Sequence, residues 1–96
     1  MSYHWIRYRQ APSALSRRVG TDVIVGAPRE ESLQSLSGTA SAVWDLLECP
    51  RSYPNLVGTL SHAYSVQADV IASDIKSLLD DLLHLHLIEG VVETDD

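Results

Sequence analysis

Leu36-Ser37-Gly38-Thr39-Ala40-Ser41-Ala42-Val43-Trp44-Asp45-Leu46-Leu47 is the stretch on which the fold turns. Ala40, Val43, Trp44 and Leu47 stand at i, i+3, i+4 and i+7, one side of an α-helix. Ser37 precedes that apolar face and is the predicted N-cap, since its hydroxyl can accept from a free N–H of the first turn. Trp44 is one of only two tryptophans and large enough to anchor a small core. Upstream of this helix the chain reads as short strands; downstream it reads as helices.

The length of 96 residues sets one domain with a modest core. A hydrophobic share of 45% against 21% charged places the chain among folded rather than disordered sequences. Phenylalanine is absent, so Leu, Val, Ile and Ala carry most of the packing. The single cysteine, Cys49, excludes an internal disulfide and a cysteine-rich zinc site. No apolar run nears the roughly 18–20 residues that cross a bilayer. The first residues, Met1-Ser2-Tyr3-His4-Trp5, do not open a secretory signal. A cytoplasmic location and no membrane partner are the expectation.

Ahead of the helix, Tyr3 to Arg9 mixes aromatic and basic residues. Tyr3, Trp5 and Arg7 fall on one side of an extended chain, and His4, Ile6 and Tyr8 on the other. Residues 1–10 are therefore set apart as an arm or an extra strand. Ala14 to Val19 and Val23-Ile24-Val25, joined through Gly20-Thr21-Asp22, predict an antiparallel hairpin. After a loop at Ala27 to Glu31, Ser32-Leu33-Gln34-Ser35-Leu36 reads as a third strand. Its Ser and Gln suit a sheet edge, whose unpaired backbone groups can accept another strand.

The helix is expected to end near Glu48-Cys49-Pro50, and Pro50 to Pro54 links to a second helix, for which Asn55 is an N-cap candidate, although Tyr53-Pro54 can place its start one or two residues earlier. Leu56, Val57, Leu60, Ala63 and Tyr64 form its apolar side. The third helix, about Asp69 to Leu85, gathers Ile71, Ile75, Leu78, Leu79 and Leu82 on one face. A second, less polar flank holds Ala72, Leu79 and Leu83, rimmed by Asp69, Lys76 and Asp80, a further surface to be covered either by the chain's own hairpin sheet or by a partner. Leu79 borders both, so Leu79→Asp is expected to harm binding with little unfolding. Leu87 to Val92 closes the domain as a short strand, and residues 93–96 form a frayed acidic tail. The fold class is α+β and winged helix-turn-helix-like. An N-terminal three-stranded antiparallel β-sheet is followed by a three-helix bundle, the domain spanning residues 11–92.

The ordered set of features resembles the PqqD-like family, the recognition elements of ribosomally made, post-translationally modified peptides. It comprises a hairpin, Leu36-Ser-Gly-Thr-Ala-x-Ala-Val-Trp44, Pro50-Arg51-Ser52, Leu56-Val57-x-x-Leu60-x-x-x-Tyr64, Asp74-Ile75 to Leu82 and Leu87-Ile88. The Trp44 helix and Pro50-Arg51-Ser52 are most similar to the stand-alone members of lasso-peptide clusters. PqqD proper carries an Asp-Gly pair where this chain has Glu48-Cys49-Pro50.

The resemblance implies a non-catalytic protein that binds the leader segment of a precursor peptide by β-strand addition. It then presents that peptide to a leader-removing cysteine protease and an ATP-dependent cyclase. Carried onto this chain, it places the peptide beside Ser32, Leu33, Gln34, Ser35 and Leu36. The facing wall is Asp69, Ala72, Ser73, Lys76, Leu79, Asp80 and Leu83. No cofactor and no metal are implied. A PqqD-type peptide chaperone of quinone-cofactor synthesis is the nearest alternative.

The residues taken alone agree. Cys49 stands before a proline with no histidine placed to activate it, and His84 and His86, at i and i+2, point to different sides. No catalytic set emerges. A winged helix-turn-helix DNA-binding regulator is the rival from a different class. The net charge is −6, and after Arg51 only Lys76 is basic, against eight acids from Asp69 to Asp96. A recognition helix so acidic would be repelled by phosphate, so nucleic acid is not an expected partner.

Overall fold

A computed structural model describes residues 6–27 and 33–92. The expected loop at 28–31, Ser32, the first five residues and the acidic tail lie outside the described residues. Nine elements follow in order. They are β1 (Ile6–Gln10), β2 (Leu15–Val19), β3 (Asp22–Gly26), β4 (Gln34–Leu36), α1 (Thr39–Leu46), β5 (Arg51–Ser52), α2 (Tyr53–Tyr64), α3 (Ala68–His84) and β6 (Ile88–Val92). The architecture is α+β, as the alternation and periodicity of the sequence indicate.

The hairpin and third strand form one antiparallel sheet in the order β2-β3-β4. Side chains alternate across it. Val23 and Val25 are buried against the helices, and Leu36 opposite Val23 joins them. On β2, Arg18 reaches the same side and pairs with Asp45 of α1. Leu15, Arg17 and Val19 therefore share the opposite side with Ile24 and Ser35.

A second sheet, in the order β5-β1-β6, joins the two ends of the described chain. Residues 6–10, the described part of the stretch set apart above as an arm or an extra strand, form the central strand of this sheet. Each residue of β1 pairs antiparallel with β6, and Arg9 meets its register partner Glu89 in an ion pair. The strand also finishes α1. The backbone N–H of Gln10 donates to Leu47 O at 2.9 Å, and its side-chain amide donates to Trp44 O at 2.8 Å. The last carbonyls of a helix lack a full set of partners inside it, and β1 adds a donor to two of them, Leu47 O and Trp44 O, the latter also accepting from the Leu47 N–H.

Pro50-Arg51-Ser52 has a related use. Arg51 Nε donates to Leu46 O at 2.9 Å, and an Arg51 guanidinium nitrogen donates to Asn55 Oδ1 at 3.0 Å. Ser52, not Asn55, is the N-cap of α2: its hydroxyl accepts from the Asn55 N–H at 3.1 Å, and Pro54 sits in the first turn where its missing N–H costs nothing. Three residues thus end one helix and start the next.

At the head of α1 the expected cap also differs. Gly38, not Ser37, is the N-cap, at φ 58° and ψ −128°, with no side-chain cap bond. Leaving β4 and entering α1 within two residues demands a backbone conformation that only glycine adopts without strain, and this outweighs the hydroxyl of Ser37. Ser41, buried in the helix, instead donates its hydroxyl to Thr21 O at 3.1 Å and ties α1 to the hairpin turn.

One core holds the layers together, and α1 contributes Val43 and Trp44 to it, with Leu47 at the helix's C-cap. From α2 it takes Leu56, Val57 and Leu60; Ala63 and Tyr64, expected on that face, are exposed because the helix outruns the core there. From α3 it takes Ile71, Ile75, Leu79 and Leu82, while Leu78 is half-buried at its margin. Helix α3 ends in a Schellman motif: His86 takes φ 61°, its N–H donates to Leu83 O, and Leu87 N–H donates to Leu82 O.

Candidate peptide-binding site

Strand β4 lies at the end of its sheet, so one row of its backbone N–H and C=O groups has no strand beside it among the described residues. Of the strand residues singled out in sequence, Leu36 is buried, Gln34 is half-buried, and Ser35 and Leu33 are exposed. Ser32 lies outside the described residues. Such an edge supplies main-chain hydrogen bonds to an added strand, while neighbouring side chains discriminate its sequence.

On α3, Asp69, Ser73, Lys76 and Asp80 are exposed, Ala72 and Leu83 are half-buried, and Leu79 is buried. Lys76 and Asp80 form an i,i+4 ion pair at 3.5 Å. Lys76, Leu79 and Asp80 line a cleft of about 630 Å³ whose other walls are Ile6 and Tyr8 of β1 and Tyr53 and Pro54 at the start of α2. Gln34, Ser35 and Leu36 do not line this cleft. Tyr53 is held by its hydroxyl, which donates to Ala72 O at 2.9 Å across from α2 to α3.

Of the α3 flank, Lys76, Leu79 and Asp80 front this concavity, with strand β1 as the facing wall, while Asp69, Ala72, Ser73 and Leu83 do not line it. Ile6, Tyr8, Tyr53 and Pro54 were not among the residues singled out. The alternation that groups Ile6 with Tyr8 was visible, but nothing local tied that pair to a helix seventy residues on. The fate of Leu79 also needs correction. At 3% exposure it is a core residue, and Leu79→Asp would bury an unpaired carboxylate and unfold the domain rather than report on binding.

Cys49 is exposed in the turn after α1. Among the described residues no group of three or more His, Cys, Asp or Glu side chains is placed to hold a metal ion. No helix of the described residues is long and apolar enough to cross a membrane.

The model of the family described as "Coenzyme PQQ synthesis protein D (PqqD)" matches residues 23–88, from β3 to the start of β6. The chain belongs to the PqqD family. Among solved structures, its fold is similar to that described as "TbiB1 in Complex with the TbiA(beta) Leader Peptide". The TM-score is 0.78 at 21% sequence identity, covering 88% of this chain and 99% of that one. No curated protein matches the chain in sequence. Strands β1 and β2 stand outside the PqqD match, so the β1 wall of the cleft is built by a segment beyond the part that defines the family.

Proposed function

We propose that this PqqD-family chain is a non-catalytic receptor for the leader segment of a ribosomally made precursor peptide, working in lasso-peptide-type biosynthesis in the cytoplasm. The observation that carries the reading is the open edge of β4 on a sheet whose other face packs on the helices. Family membership supports it, as does the likeness to a fold solved with a leader peptide bound. The leader adds as an antiparallel or parallel strand beside Ser32–Leu36. It directs alternate side chains toward the α3 flank of Asp69, Ala72, Ser73, Lys76, Leu79, Asp80 and Leu83. Its free form is disordered, so part of the interaction energy goes into ordering it, and affinity settles near the micromolar range. The bound peptide is then presented to a separate cysteine protease and an ATP-dependent cyclase, which perform the chemistry.

The test is fluorescence anisotropy with labelled leader peptides from precursors encoded beside this chain. Saturable binding with a Kd of roughly 0.1–10 μM is expected, corresponding to about 7–9.5 kcal/mol. Absence of saturable binding to any neighbouring precursor overturns the reading.

The family description itself favours a second reading, a peptide chaperone of quinone-cofactor synthesis. The same titration with the precursor peptide of that cofactor separates the two. DNA binding gains no support: Asp69, Asp74, Asp80 and Asp81 are all exposed along α3, which would meet phosphate with repulsion.

A further inference from the structure

Strand β1 is joined to the rest of the chain by one short link, yet it is held by elements remote from that link. It shares no sheet with β2, the strand that follows it. Its ladder partners are β5 and β6, Arg9 pairs with Glu89, and Gln10 completes the end of α1. Ala11 belongs with it, since the Ala11 N–H donates to Leu87 O at 2.9 Å. The chain then folds back through Ala11-Pro12-Ser13-Ala14, a turn closed by the Ala14 N–H donating to Ala11 O at 2.9 Å. Pro12 suits that turn and its opened form alike. A φ near −65° serves both, and the residue before a proline is extended in either.

We propose that this link is a hinge through which two copies of the chain exchange β1, each lending its strand to the slot between β5 and β6 of the other. The slot selects its occupant. It takes apolar and aromatic side chains at alternate positions facing the cleft, as Ile6 and Tyr8 do, an amide that reaches Trp44 O, and a cation opposite Glu89. Gly90, the register partner of Tyr8, adds to the fit: a Cβ there would stand 3.5 Å from Ile6 Cγ2 and 4.0 Å from Tyr8 Cε1, so both side chains lie over bare backbone. Neither β2, Leu-Ser-Arg-Arg-Val, nor β4, Gln-Ser-Leu, meets these demands; β1 of a second copy meets all of them. Opened, the link makes one extended run from Ile6 to Val19, about 46 Å at 3.3 Å per residue. That exceeds the 35 Å greatest extent of the molecule, so β1 reaches a neighbour. Exchange gives up the Ala14–Ala11 bond and remakes the other contacts between copies, the reason that swapping an element is a low-cost route to a dimer. With matching contacts in both states, concentration decides: a short link holds β1 at an effective concentration in the roughly millimolar range. In the exchanged dimer each cleft is walled by Ile6 and Tyr8 of the other copy. None of this depends on the β4 edge or on what binds there.

The test refolds wild type from urea at about 10 μM and at about 1 mM, either side of that effective concentration, and separates monomer from dimer by sedimentation. The dimer fraction is expected to be roughly tenfold larger after the concentrated refolding, and to persist on dilution because return requires β1 to detach. Arg9→Cys/Glu89→Cys in a Cys49→Ser background reports which chain supplies the strand, since positions 9 and 89 are register partners. Oxidising its dimer fraction is expected to give covalent dimers on a gel without reductant, and oxidising its monomer fraction to link each chain internally. Co-refolding Arg9→Glu with Glu89→Arg tests the exchange without cysteines. Each variant alone sets like charges across β1 and β6, whereas the exchanged heterodimer restores opposite charges at both contacts. Heterodimer is expected to outnumber the two homodimers together by roughly fivefold or more. Wild type that stays monomeric after concentrated refolding overturns the proposal. So does a dimer whose cysteines link only within chains, or a heterodimer no more abundant than the homodimers together.

Discussion

The two three-stranded sheets do opposite work. The β5-β1-β6 sheet is drawn into the rest of the molecule: Gln10 completes the end of α1, Arg9 pairs with Glu89, and Ile6 and Tyr8 wall a cleft against α2 and α3. The β2-β3-β4 sheet buries one face and, among the described residues, leaves its other face exposed and the β4 edge without a neighbouring strand. An open edge normally invites unwanted pairing. Here it is kept to three described residues, and the sheet behind it is pinned by Ser41 and the Arg18–Asp45 pair. The comparison teaches that rigidity and availability are divided between sheets rather than mixed within one.

That division can be broken experimentally. Starting the chain at Ala11 removes β1 and should have the largest effect. Domains of this size hold roughly 5–14 kcal/mol, and losing the central strand together with two bonds to α1 should remove about 3 kcal/mol or more. Thermal melting by circular dichroism would show a large fall in Tm or loss of a cooperative transition. An unchanged Tm would mean the second sheet is decoration. Arg51→Ala comes next. It frees Leu46 O and Asn55 Oδ1 at a half-buried joint and should cost about 1–2 kcal/mol in urea unfolding, with little change in m.

His86→Gly sharpens the comparison from the other direction. Residue 86 sits at positive φ in the turn leading into β6, so glycine should stabilise by about 0.5–1 kcal/mol. The smallest effect belongs to the open sheet. Leu15→Asp/Arg17→Glu should change stability by no more than about 0.5 kcal/mol, because neither side chain is packed. A larger loss would show that the outer face contributes to the fold.

Much of this was legible beforehand, for reasons that differ by residue. The Trp44 helix, the hairpin and the inward face of α3 are written in local periodicity, which burial enforces wherever the chain folds. The caps were less legible. Ser37 and Asn55 have the right chemistry, yet Gly38 and Ser52 hold the positions, because the path of the chain between elements decides which residue adopts the cap conformation. The cleft beside α3 was foreshadowed on one wall only. Lys76, Leu79 and Asp80 belong to the α3 flank that stood out as under-covered, but the opposing wall of β1 and the start of α2 did not stand out.

By itself the sequence determined the α+β class, the order of hairpin, third strand and three helices, the edge character of β4 and the core face of each helix. These depend on spacing between near neighbours. Tertiary structure alone decided that residues 6–10 run beside β6 and complete α1, that β1 walls the cleft against α3, and that Leu33 crosses Gly26 beside Leu15 on an open face. Those contacts join residues far apart in the chain, and no local pattern records which distant backbone will arrive to meet a free carbonyl or cover a leucine.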